Sequence, residues 1–534
     1  MAGIIDAAAL KAEIHACVGG SGEVALLDIR EHGQYGAGHP FFAVSCPYSV
    51  LEKRASVLVP RCSAPVVVFD DDDGVAERAA AALEGIGYSS VRVLSGGAPG
   101  WAAAGYTLYQ GVNLPSKTFG ELVEHACHTP SITAEDLHGM QTRGDNIILL
   151  DGRTPAEYAN FNIPGGISCP NAELPLRFDD LVSDADTTVV INCAGRTRSI
   201  IGAQTLIDFG IAQKVVALEN GTQGWALIDL ELERGADRFA PENVSATALE
   251  AAHGRAMNLA AKDDISFVDG DTLAAWRGDD TRTTYLIDVR SGPEFETGHL
   301  AGARHAPGGQ LVQATDLSVG VMGARIVVCD DTEVRAVMAA HWLGLMGRDV
   351  HVLRGGVGAA AMETGEVVDG VSDKTAPHLT ETSVDEMRAG MVNGTMVAID
   401  IRSSQSYRDG HVSGAHWALR PQMPTIAGQL EGMHAVLIAE AGDGARLAAL
   451  DASALGAMGV TILAGGMSAW LAAGHTVERS PDVPADGNRK DYLFFTGQRH
   501  MGNKEHMRQY LEWEIGLVGQ LDADERAAFK LPEL

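Results

Sequence analysis

Short runs of Val, Ile and Leu alternate along the chain with longer Ala- and Leu-rich stretches, and the alternation keeps the same order from one end to the other. Apolar runs of four to five residues bounded by turn residues read as strands buried on both faces, and the stretches between them read as helices. Such a succession predicts α/β units built on a parallel sheet with helices on both faces. Helix openings recur as well: Ile5-Asp6, Ile132-Thr133-Ala134-Glu135, Val268-Asp269 and Thr382-Ser383-Val384-Asp385 each place a capping or acidic residue ahead of Leu10, Leu137, Leu273 and Met387.

The pattern is a repeat. Four apolar strands end in Asp-x-Arg, at Asp28-Ile-Arg30, Asp151-Gly-Arg153, Asp288-Val-Arg290 and Asp400-Ile-Arg402. An aromatic follows each, with a Gly-His pair at Tyr35 and Gly38-His39, Phe295 and Gly298-His299, and Tyr407 and Gly410-His411; the second copy has Tyr158 and replaces the pair by Phe161-Asn162. Each copy closes on a turn, Gly96-Gly97, Asn220-Gly221, Gly355-Gly356 or Gly465-Gly466, with a tryptophan after three of them, Trp101, Trp225 and Trp470. The copies are expected at residues 1–110, 128–238, 264–374 and 378–480, with a helical tail over 481–534. Residues 111–130, with Pro115 and Pro130, and the alanine-rich 239–264 read as structured connectors.

One copy carries a cysteine where chemistry is expected. In the second, the run Val189-Val-Ile-Asn192 ends at Cys193, and Ala194-Gly195-Arg196-Thr197-Arg198-Ser199 opens a helix. Most cysteines act as small buried hydrophobes. A thiol at a strand-to-helix turn is different, because the free N–H groups of Ala194 through Ser199 and the charges of Arg196 and Arg198 favour a thiolate and any anion attached to it. Counting back from Gly87, Gly210 and Gly347, the equivalent residue is Asp70 in the first copy and Asp330 in the third; the fourth has Ala439-Glu440-Ala441-Gly442, and no cysteine lies beyond Cys329. An aspartate cannot carry transferable sulfur and repels an anion about 4 Å away by roughly 4 kcal/mol near a surface. Cys329 aligns with Asn192 and is expected, like Cys46 and Cys169, to pack in the core.

The loop Cys-Ala-Gly-Arg-Thr-Arg-Ser, with the order of Asp-x-Arg, Gly-His, loop and Gly-Gly, resembles that of rhodanese-type sulfurtransferases. The resemblance implies four tandem rhodanese-like domains, of which the second is catalytic and the others inactive. It implies a persulfide on Cys193, formed from a small anionic donor such as thiosulfate and passed to cyanide or a thiol, with no cofactor and no metal. Arg196 and Arg198 would orient the donor. Glu173 and Arg177 are found only in the copy with the loop cysteine, and Arg177 could add a cationic contact from outside the loop to the donor's distal oxyanion. A cysteine-dependent phosphatase or arsenate reductase resembles Cys-x5-Arg, one residue longer than the spacing from Cys193 to Arg198. A binding scaffold on which Cys193 is a non-turnover persulfide carrier is the reading from another class.

Composition narrows the partners. A net charge of −30, from 40 Lys+Arg against 70 Asp+Glu, argues against nucleic acid and makes any anion site local. Seven cysteines in 534 residues imply no disulfide framework and fit a cytoplasmic protein. No run approaches a membrane span, and His125-x-Cys127-His128 lacks the partners of a zinc site. Tyr510 and Trp513 at helical spacing place the tail on the body of the protein or on a second subunit, so that a homodimer is one expected assembly.

Overall fold

A computed structural model of the chain describes residues 2–359, 361–367, 370–440 and 442–531. Contacts divide it into two units: one of Met1–Leu10, Ala25–Val112 and Val368–Phe495, the other of Lys11–Val24, Asn113–Val367 and Thr496–Leu534. Most of the first copy therefore shares a unit with the fourth, while its residues 11–24 fall in the unit of the second and third. The stretch expected as one tail is split at Phe495.

The same parallel sheet recurs in each copy. In the second its strands are Ser131–Ile132, Ile147–Asp151, Ile167–Ser168, Thr188–Asn192 and Val215–Leu218, and by position in the copy they lie in the order first, fifth, fourth, second, third. The third copy, from Ser266–Val268 to Asp349–Leu353, and the fourth, from Glu381–Thr382 to Gly459–Leu463, repeat this order, as do the five strands from Gly3–Ile5 to Val91–Leu94. A strand's side chains alternate between faces, and the cores follow that period. Leu150, Val189, Ile191, Val215 and Ala217 meet Leu174, Phe178, Ala203 and Leu206 of the helices on one face. Leu149, Val190, Val216 and Leu218 meet Ala134, Leu137 and Trp225 on the other.

The recurring polar residues hold the ends of these strands. Arg30, Arg153, Arg290 and Arg402 each donate through Nε and Nη2 to the aspartate two residues earlier, and through Nη2 to a carbonyl, of Gly38, Phe161, Gly298 and Gly410 respectively. The pair is part of the fold wherever the copy stands. His39, His299 and His411 stack on Tyr35, Phe295 and Tyr407 at ring separations of 3.7, 3.8 and 3.7 Å and hydrogen-bond through Nδ1 to the carbonyl of that same residue. In the second copy Asn162 takes over that bond by donating to the Tyr158 carbonyl.

Both connectors contain helices, Leu114–Cys127 and Ala246–Lys262. Within its unit the second copy is tied to the third by Arg335 donating to Glu173 at 3.0 Å and Trp342 donating to Thr205 Oγ1 at 2.8 Å. Arg420 of the fourth copy donates to Glu52 of the first at 2.6 and 2.7 Å. Among the described residues no helix is long and apolar enough to cross a membrane.

Candidate active site

Strand register fixes which residues are equivalent. Asp28 pairs with Phe69, Asp151 with Asn192, Asp288 with Cys329 and Asp400 with Ile438, so the next residues, Asp70, Cys193, Asp330 and Ala439, occupy one position in the four copies. The closing turns agree: Thr222 N–H donates to the Cys193 carbonyl at 2.8 Å, Ala98 N–H to that of Asp70 at 2.8 Å and Val357 N–H to that of Asp330 at 2.9 Å. Gly221 lies so near that a Cβ would stand 2.1 Å from the Cys193 oxygen, which requires glycine there. Of the fourth copy's loop, Ala441 lies outside the described residues.

Cys193 is 2% exposed and opens the loop that becomes the helix Thr197–Asp208. No acceptor for the backbone N–H groups of Ala194 through Arg198 is found among the described residues. Ser199, expected to share in that set, bonds instead to the Arg196 carbonyl at 3.0 Å. Gln223 fastens the loop by donating from its backbone and its side chain to the Ala194 carbonyl, at 3.1 and 3.0 Å, and Asn171 donates to the Arg198 carbonyl at 2.9 Å.

The loops of the first and third copies are filled from within. Asp70 accepts from the N–H groups of Asp72 and Ala76, both at 2.9 Å, and Asp330 accepts from Arg335 N–H at 3.1 Å and Thr332 Oγ1 at 2.7 Å. A carboxylate takes the donors that an anion on Cys193 would find vacant.

The loop arginines already have carboxylate partners. Arg198 is buried and forks onto both oxygens of Glu157 at 2.8 Å, and Glu157 also closes the capping box of Thr154. Burial would raise the Glu157 carboxyl, but the bonds and charge of Arg198, with Thr154, hold it down to about 2. Burial likewise works against the charge of Arg198, which Glu157 and then Cys193 and Asp151 raise above its ordinary value. Sequence reasoning missed that this pair is duplicated: Arg335, five residues after Asp330, forks onto Glu294 at 2.9 and 3.0 Å, and Glu294 caps Ser291.

Arg196 turns to the connector helix, donating to Glu121 at 2.8 and 3.0 Å and also to Glu124. Burial outweighs the Arg196 contact at Glu121 and, with Glu514 and Glu124 nearby, pushes that carboxyl up to about 7. A Cβ on Gly120 would stand 2.7 Å from Thr197 Cγ2, so the connector presses directly on the loop. Glu173 and Arg177 are not brought to the loop. They bond to each other at 2.7 Å, Arg177 also donates to the Glu242 carbonyl at 2.8 Å, and Glu173 accepts from Arg335.

The tail was not foreseen at this site. On the helix Lys504–Gly516, Glu514 accepts from Thr197 Oγ1 at 2.6 Å and lies 3.6 Å from Lys117 Nζ, which donates to the Tyr510 hydroxyl. A Cβ on Gly195 would meet Tyr510 Cε1 at 3.2 Å and Glu514 Oε2 at 3.3 Å. The other buried thiols are poorly placed for nucleophilic work: burial pushes Cys46 up to about 12 and raises Cys169 and Cys329.

The rhodanese-like domain model matches residues 10–104, 133–227, 270–362 and 383–473. A thiosulfate sulfurtransferase crystal structure from Pseudomonas aeruginosa is similar at 39% identity over 99% of this chain and 100% of that one, with a TM-score of 0.90. A sulfurtransferase from Allochromatium vinosum is 33% identical over 95 residues, 18% of this chain and 86% of that protein.

Proposed function

The chain belongs to the rhodanese-like domain family and is a sulfurtransferase, and from that premise we propose that its second copy carries sulfur on Cys193. The observation that carries the reading is the contrast among loops. Aligned carboxylates fill the first and third, whereas the donors behind Cys193 stand open.

The Cys193 thiolate attacks the outer sulfur of a small anionic donor such as thiosulfate. A new S–S bond forms to Cys193, the donor's own S–S bond breaks, and sulfite departs with the electron pair. The negative terminal sulfur of the persulfide lies against the N–H groups of Ala194 through Arg198, with Thr197 and Ser199 fixing the helix start and Arg198 supplying charge. A thiolate or cyanide then attacks that terminal sulfur and releases Cys193 as thiolate. The sequence steps are ping-pong and draw on this chain's own residues.

A loop one residue shorter than Cys-x5-Arg supports sulfur as cargo over a tetrahedral oxyanion. The first, third and fourth copies serve as scaffold in this reading. Replacing Cys193→Ser should eliminate turnover of thiosulfate with cyanide while the circular dichroism and melting of the protein stay as in the parent. Residual turnover above a few per cent would move the chemistry elsewhere, and a parent enzyme that accepts one sulfur but does not turn over would support the carrier.

A further inference from the structure

Both arginines of the Cys193 loop are spoken for. Arg196 is held by Glu121 and Glu124, and Arg198 by Glu157, whose fork is repeated at Arg335 and Glu294 in a copy whose loop has Asp330 in place of the cysteine. A donor with a distal oxyanion needs a cation that carboxylates have not neutralised.

The tail brings one to the loop. Arg499 has no carboxylate partner among the described residues; it donates only to Thr496, at 3.2 Å to the carbonyl and 3.4 Å to the hydroxyl, and its Nε is buried without an acceptor. Its guanidinium carbon stands 4.4 Å from the centre of the Tyr510 ring, the ring whose edge faces Gly195, and Lys117 Nζ stands 4.9 Å from the same centre. The next residue, His500, packs on Phe161 at 6.1 Å between ring centres. Phe161 is where the second copy departs from the Gly-His pair of the others, so that departure meets the tail.

We propose that Arg499 receives the distal oxyanion of the sulfur donor, so that the C-terminal segment completes the site of the second copy and selects anionic donors. The assignment rests on Cys193 as the sulfur carrier and names the residue that recognises the sulfonate of thiosulfate or a carboxylate in its place. Glu514 and Tyr510 are positioning residues that seat the segment on Thr197 and Gly195.

The test is single-turnover loading of Cys193 in the full chain, followed by intact mass, with subsaturating thiosulfate and with an alkyl hydropersulfide that has no distal oxyanion. Arg499→Ala should slow loading from thiosulfate roughly tenfold to thirtyfold, the usual range for losing a charge-assisted contact, and leave the hydropersulfide within about twofold. Arg499→Lys should fall between Arg499→Ala and the parent with thiosulfate. Parent-like thiosulfate loading in Arg499→Ala overturns the assignment, and so does an equal loss with both donors, since Arg499 would then only hold the tail. Sulfur taken up at the parent rate by Cys193→Ser overturns the Cys193 reading itself, whereas normal Cys193 loading indifferent to Arg499 overturns this assignment alone.

Discussion

Arg198 and Glu157 form a unit whose two members are set by different demands. The arginine is buried on the first turn after the Cys193 loop, and the carboxylate that neutralises it also caps the helix Pro155–Asn160. Glu157 lies near 2 when folded, below its ordinary 4.5, so its stabilising contribution is complete above about pH 4.5 and is lost as the pH falls through 2. Glu157→Gln should therefore flatten the acid loss of stability between those values, read from denaturant unfolding of parent and variant at matched pH. Equal slopes would show that the pair does not titrate as described. The capping box Thr154-x-x-Glu157 is visible in the sequence, as is its twin Ser291-x-x-Glu294. That each glutamate also receives an arginine some 41 residues later is a tertiary fact with no local period to announce it.

At the level of strand and loop, the sequence was legible because the repeat is regular. Equating Cys193 with Asp70 and Asp330 by counting from conserved spacing in the three helices agrees with the strand register. The inward turn of the aspartates was not legible: repulsion of an anion was the expected cause of silence, and the carboxylates also consume the loop donors themselves. Asp70→Cys or Asp330→Cys in a Cys193→Ser background should still not regain transfer. The substitution opens the donors but leaves Asp71, Asp72 and Asp73 in the first loop, and Asp331 and Glu333 in the third, to raise an introduced thiol and repel the donor. Donor-derived sulfur on either introduced thiol at near the parent rate would mean that the acidic surroundings are not what silences these copies.

On the scale of the whole chain, four copies and a tail could be counted from the sequence, but not how they group. The tail reaches the second copy through contacts such as Thr197 to Glu514, 317 residues apart, and such contacts leave no trace in hydrophobic periodicity. Residues 111–130 were expected only as a structured connector, yet their helix supplies Gly120, Glu121 and Glu124 to the loop and Lys117 to the tail. With a net charge of −30, an anionic donor finds little general attraction, and the cations gathered around one loop must do the recognising.

In this reading a single thiol carries the sulfur. Brief exposure of the parent to thiosulfate without acceptor, followed by intact-mass measurement and peptide mapping, tests it most directly. The expected result is a gain of one sulfur per chain, confined to the peptide containing Cys193, discharged by cyanide and absent from Cys193→Ser. Sulfur on Cys62, Cys127 or any other cysteine, or no gain at all, would contradict it.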